Sequence, residues 1–271
     1  VLEALAGRDV RRALEMFVNI ITSGHLSSAA ITSTAIGGGV AISERLIIKI
    51  LMRTDYNFFS ERSGFISNIF NYDPDWEKPD NFLLVEILYL LARNRKKVGQ
   101  MGLEGYFTCR SIIEDLQRFG YVPGDTLNAL NYLLKRQLIA ADHMNFRKVE
   151  LDDCVRILAS GFIHIRVLAG RIEYLYGVLP ATPLTDKGVA DRIADIVRNE
   201  ATRGSIGSHQ SLAAVETFYT YLLQEAEFLS NPFLAGVQTG RAYVLEKIQR
   251  GIDLFRNANA GFPSSPDVLD V

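Results

Sequence analysis

The run Thr108–Asp152, "TCRSIIEDLQRFGYVPGDTLNALNYLLKRQLIAADHMNFRKVELD", decides the fold. Its first part, "TCRSIIEDLQRFG", spaces apolar residues as a helix does and closes on Gly120, which enters the left-handed conformation at a helix end at no steric cost. "YVPGDT" reads as a tight turn that leaves Asp125 as the N-cap of the next helix. That helix, "TLNALNYLLKRQL", puts Leu127, Leu130, Leu133 and Leu134 on one inner face. "IAADHMNFRKVELD" then reads as two short strands around a polar tip at Asn145.

Upstream, "NFLLVEILYLLARNRKK" is an apolar helix and "GLEGYFT" is short enough for a single edge strand. The order becomes helix, short strand, helix, turn, helix, hairpin, which is that of a winged helix-turn-helix. The leucine-faced helix takes the recognition-helix place. Asn128, Asn131, Tyr132 and Lys135 fall outside its apolar face, and Arg136 flanks it. Asn can pair bidentately with adenine, and Lys or Arg can hold guanine or phosphate. Arg147 and Lys148 sit where a wing touches the backbone. These seven are the candidate DNA- or partner-binding residues. Residues 108–150 carry six basic and five acidic side chains, a weak electrostatic footprint for DNA. Winged helices also serve as packing modules, so a protein partner is favoured over DNA.

Toward the N-terminus, residues 8–24 read as an amphipathic helix whose apolar stripe is Leu14, Phe17, Val18 and Ile21, with Gly24 as its stop. A Ser/Thr/Gly-rich connector follows, then a second helix in "SERLIIKILMRTD" with Ser43 as N-cap, then the aromatic "YNFFSERSGFISNIFNY" and the turn-rich "DPDWEKPD". Beyond Asp153 the chain reads as helical again, from "VRILASGFIHIRVLAGRIEYLYGVL" through three further helices. The expected fold is mostly α. Residues 1–80 form lid-like helices and a connector, 81–152 a winged-helix domain, 153–256 a helical bundle, and 257–271 a loose tail.

The opening "GRDVRRAL" (Gly7–Leu14) resembles the start of a helix in the lid of AAA+-type ATPases. Over residues 1–180 the order of elements is similar to the C-terminal half of bacterial STAND-like or AAA+-like P-loop ATPases. There a lid precedes a winged helix, as in the origin-recognition ATPases. The resemblance implies that Arg11 senses nucleotide, with Arg12 in reserve, because a permanently charged fork suits phosphate oxygens. It also implies an upstream ATPase core as partner, with ATP and Mg as cofactors of the parent protein. A chain that opens on Val1 rather than Met fits such a piece. The chain itself offers no P-loop, since "AIGGGVAIS" has glycines but no following Lys-Ser/Thr. No catalytic constellation is recognisable, so the chain is expected to be neither an enzyme nor a cofactor carrier.

Composition narrows the class without choosing a function. Apolar residues make up 48% and the net charge is -2, as in an ordinary globular protein with no global pull toward nucleic acid. Cys109 and Cys154 form no CxxC, which suits a reducing cytoplasm. The four histidines lack metal spacing, and His164, in an apolar run, reads as a satisfied core residue. "AAITSTAIGGGVAI" is too short to span a bilayer. The expected function is a regulatory region of a cytoplasmic P-loop ATPase that moves a winged helix against a partner protein or DNA. The alternative is a free-standing winged-helix transcription regulator with a helical dimerisation domain.

Overall fold

The computed structural model describes residues 5–6, 10–23, 44–52, 65–71, 80–99, 102–142, 148–203, 208–228 and 238–259. The glycine-rich connector, Ser43, Asn145 and the tail lie outside them. The described chain is mostly helical. In order come α1 (Val10–Thr22), α2 (Glu44–Met52), α3 (Leu83–Asn94), β1 (Phe107–Thr108), α4 (Cys109–Gln117), α5 (Pro123–Lys135), β2 (Ile139–Ala141) and β3 (Cys154–Ile157). Then follow α6 (Ala159–Arg166), α7 (Ile172–Val178), α8 (Lys187–Arg203), α9 (Ser208–Phe228) and α10 (Gly240–Asn259).

Helix α3 is apolar nearly all round because it is buried nearly all round. It packs on α4, α5, α6 and α10. Helices α8, α9 and α10 pack in succession, and α9 also lies on α7. Phe218 and Tyr221 of α9 are buried, and Phe70 meets the Phe218 ring edge-on at 5.4 Å. One contiguous apolar core therefore runs from Leu5 to Ile252.

The sheet is antiparallel in the order β1-β3-β2, with Phe107 opposite Val155 and Ile139 opposite Ile157. Its third strand corrects the expectation that residues beyond Asp153 are helical. Cys154–Ile157 is the central strand, past the expected boundary at 152. Cys154 and Val155 are fully buried, and such a short apolar run between turns serves a strand or a helix equally by pattern. The turn expected at "YVPGDT" is also shorter than read. Helix α5 already starts at Pro123, and Val122 occupies the cap position without a side-chain bond. Proline suits the first helical position because its φ is preset and its missing N–H would be unpaired there. Asp125 thus lies in the first turn, not at the cap.

Helix α1 faces the opposite way from the expected stripe. Met16 and Ile20 are buried, whereas Leu14 is 59%, Phe17 51% and Val18 55% exposed. Val10 and Ile21 complete the outward apolar face. Two apolar sides competed for the core, and α2, against which α1 packs, takes the Met16–Ile20 side.

Candidate functional site

The two helices of the α4–α5 pair end in the same way. After α4, Gly120 adopts φ +91°, its N–H bonds Gln117 O at 3.0 Å, and Tyr121 N–H bonds Leu116 O at 3.2 Å. After α5, Gln137 adopts φ +55°, its N–H bonds Leu134 O at 3.0 Å, and Leu138 N–H bonds Leu133 O at 3.0 Å. Both are Schellman ends. A non-glycine residue in that conformation costs about 1–2 kcal/mol, so a glutamine there calls for a compensating contact. Its side chain supplies one. Arg12 of α1 donates to Gln137 Oε1 through one terminal nitrogen and to Phe65 O at 3.1 Å through the other.

Behind this turn lies a buried polar seam. His164 of α6 is fully buried; its Nδ1–H donates to Ser160 O at 2.7 Å and its Nε2 accepts Ser67 N–H at 2.9 Å. With both ring nitrogens used in the neutral form, burial holds its pKa down to about 4, helped by the charges of Arg12 and Arg136. Ser160 Oγ donates to Gln137 O, and Arg136 Nε donates to Ser67 Oγ at 3.1 Å. The Tyr174 hydroxyl donates to Ser67 O at 2.8 Å. The seam therefore joins α1, residues 65–70, the α5–β2 turn, α6 and α7. It is a set of fixed donors and acceptors that ties these elements to one another.

The sequence-predicted residues divide between this seam and the surface. Arg11 is exposed and pairs with Glu15 at 3.1 Å on its own helix, while Arg12 is the arginine that reaches inward. Arg136 belongs to the seam and Tyr132 packs against the core. Asn131 is held by backbone: its Nδ2 donates to Leu127 O at 3.0 Å and Val149 O at 3.3 Å, and its Oδ1 accepts Val149 N–H at 2.7 Å. Its amide fixes the loop before β3 to α5, which commits both of its N–H donors to backbone and so removes the bidentate pairing with adenine. Asn128, Lys135 and Lys148 are exposed. Arg147 lies outside the described residues. Gln137, Ser67 and Ser160 were missed, since nothing in "KRQLIA" marks glutamine as a left-handed cap.

A second buried group joins the two halves of the chain. Glu86 of α3 accepts Gly240 N–H at 2.5 Å, Arg241 N–H at 3.1 Å and Arg241 Nε–H at 3.2 Å. It caps α10 where the helix dipole favours a negative charge. Burial raises its pKa, against the lowering by these bonds. A Cβ at Gly240 would stand 2.8 Å from Glu86 Cα, so the close approach requires glycine. Nearby, the Tyr121 hydroxyl is buried without a hydrogen-bond partner among the described residues.

Among the described residues no group of three or more His, Cys, Asp or Glu could hold a metal ion, and no helix is long and apolar enough to cross a membrane. No family model matches the chain, and neither a curated protein nor a solved structure matches it.

Proposed function

We propose that this chain is the regulatory and interaction region of a cytoplasmic P-loop ATPase, in which α1 transmits nucleotide state to a winged helix that acts on a partner protein. The observation that carries the reading is the double character of α1. Its outward face is apolar and exposed, from Val10 to Ile21, while Arg12 on its inner side is fastened to the α5–β2 turn. An exposed apolar stripe on a helix suits a protein partner. The order α3-β1-α4-α5-β2-β3 and the sheet order β1-β3-β2 support a winged helix with α5 in the recognition-helix place.

The mechanism is a lever. Arg11 sits in an exposed i,i+4 pair with Glu15, an interaction worth little, so a phosphate can draw it away. Movement of α1 then pulls on Phe65 and Gln137 through Arg12, and the turn that ends α5 moves with them. Hydrolysis, ATP and Mg belong to the parent core. The exposure of Asn128, Lys135 and Lys148 favours a second reading, a free-standing DNA-binding regulator. The coding sequence upstream of Val1 separates the two. A Gly-x4-Gly-Lys-Ser/Thr run there supports the ATPase reading, and a reading frame that opens near Val1 overturns it in favour of the regulator.

A further inference from the structure

Away from the seam, cations and aromatic rings alternate across the end of α3, α6, α10 and β3. Arg95, just past α3, lies with its guanidinium carbon 4.2 Å from the Phe162 ring centroid, and Arg166 approaches the same ring at 5.7 Å. Arg166 also lies 5.1 Å from the Tyr243 ring and donates to the Tyr243 hydroxyl at 3.1 Å. Lys247 adds a further charge 5.5 Å from the same Tyr243 ring. On β3, Arg156 lies 4.9 Å over Tyr106. Between Arg95 and Arg156 opens a cavity of about 350 Å³, lined also by Glu104, Gly105 and Ile157. The loop that closes it needs Gly105, which adopts φ +77° with Arg95 O only 2.7 Å from where a Cβ would stand.

Stacking on a ring uses the face of a guanidinium and leaves its N–H edge for an anion. It also fixes the side chain in advance, which lowers the entropy cost of binding. Arg95, Arg156, Arg166 and Lys247 have no carboxylate partner within ion-pair distance among the described residues, although the chain as a whole is acidic. Lys96 and Lys97 are exposed next to Arg95. Unpaired, pre-stacked cations arranged in a row suit a ligand with repeated negative charges. Each of these rings already carries a cation, which favours charge recognition over base stacking. The recognition is of backbone, not of sequence.

We propose that this ladder, from Arg156 and Arg95 through Arg166 to Lys247, binds the phosphate backbone of a nucleic acid, with one phosphate seated between Arg95 and Arg156. The ladder draws its cations from β3, α6, α10 and the residue after α3 rather than from α5, and it does not rest on the ATPase reading. Glu104, in the wall of the cavity, weakens the seat and limits affinity to a range that salt controls.

The test is fluorescence anisotropy of the full chain with a labelled mixed-sequence DNA duplex and its single strand, over a series of salt concentrations. Binding should weaken with salt, and Arg95→Gln, Arg156→Gln and Lys247→Gln should each lower the slope of log K against log salt by about one unit for the duplex. Arg95→Lys and Arg156→Lys, which keep the charge, should keep the slope, and Glu104→Gln should tighten binding. Thermal melts confirm that each variant is folded, and Arg166→Gln replaces any that is not. Arg192→Gln, exposed on α8, should leave binding unchanged. No binding at low salt overturns the proposal. So does a slope that responds to Lys135 and Lys148 instead, which would put the duplex on α5. Displacement of the label by ATP at equal phosphate concentration would also overturn it, in favour of a small-phosphate site.

Discussion

Acid should destabilise the protein through His164, by an amount the seam fixes. The ring is fully buried, neutral and bonded at both nitrogens, with a pKa of about 4 against 6.5 for a free histidine. Between those values the unfolded chain takes up a proton that the folded chain refuses. Stability therefore falls as pH drops through 6.5 and stops falling below about 4. The loss is about 2 kcal/mol by pH 5 and about 3 kcal/mol by pH 4. Glu86 and Asp80, whose pKa values are raised by burial, act in the opposite direction in the acid range. The assay must remove them by difference. Urea unfolding of the wild type and of His164→Asn, from pH 7.5 to 4.5, does so. The variant should be less stable at neutral pH, and the gap should close by about 2 kcal/mol toward pH 5. Parallel curves would refute the assignment of His164 as the buried neutral group.

Three further outcomes follow from burial and contact. Glu86→Ala leaves Arg241 and two amides of α10 in a dry site and should cost about 3–5 kcal/mol in a denaturant titration. Gly240→Ala, which drives a Cβ into Glu86, should cost about 1–3 kcal/mol by the same measurement, whereas an unchanged midpoint would mean that α10 approaches less closely. Tyr121→Phe removes a hydroxyl that has no hydrogen-bond partner among the described residues; its melting temperature should hold or rise, and a loss of more than about 1 kcal/mol would reveal a partner.

The middle of the chain was the most legible because its signals are local. Gly120 ends α4 with positive φ as a glycine at that place should, and Leu130, Leu133 and Leu134 all face the core. The short strand in "GLEGYFT" and the three C-terminal helices also lie where spacing puts them. What was illegible depends on partners distant in sequence. Helix α1 has apolar residues on two sides, and its tertiary packing, on α2 among others, turns Met16 and Ile20 in while Phe17 and Val18 stay out. Strand β3 is a strand because β1 and β2 flank it, not because of its own pattern. Asn131 looked like a base reader by residue type, but Val149, eighteen residues on, takes both ends of its amide. Arg11 and Arg12 are indistinguishable in sequence and differ by a helical rotation that carries one to solvent and the other to Gln137.

The central claim is that α1 holds the turn at the end of α5 through Arg12. Amide hydrogen exchange of the α5–β2 turn tests it most directly, in the wild type, Arg12→Ala and Arg11→Ala. The Gln137 and Leu138 amides, bonded to Leu134 O and Leu133 O, report whether the turn is held. Loss of Arg12 should weaken the turn by about 1 kcal/mol and raise exchange there about fivefold. Arg11→Ala should leave it as in the wild type. Equal exchange in all three proteins would contradict the claim, because the turn would then be held without α1.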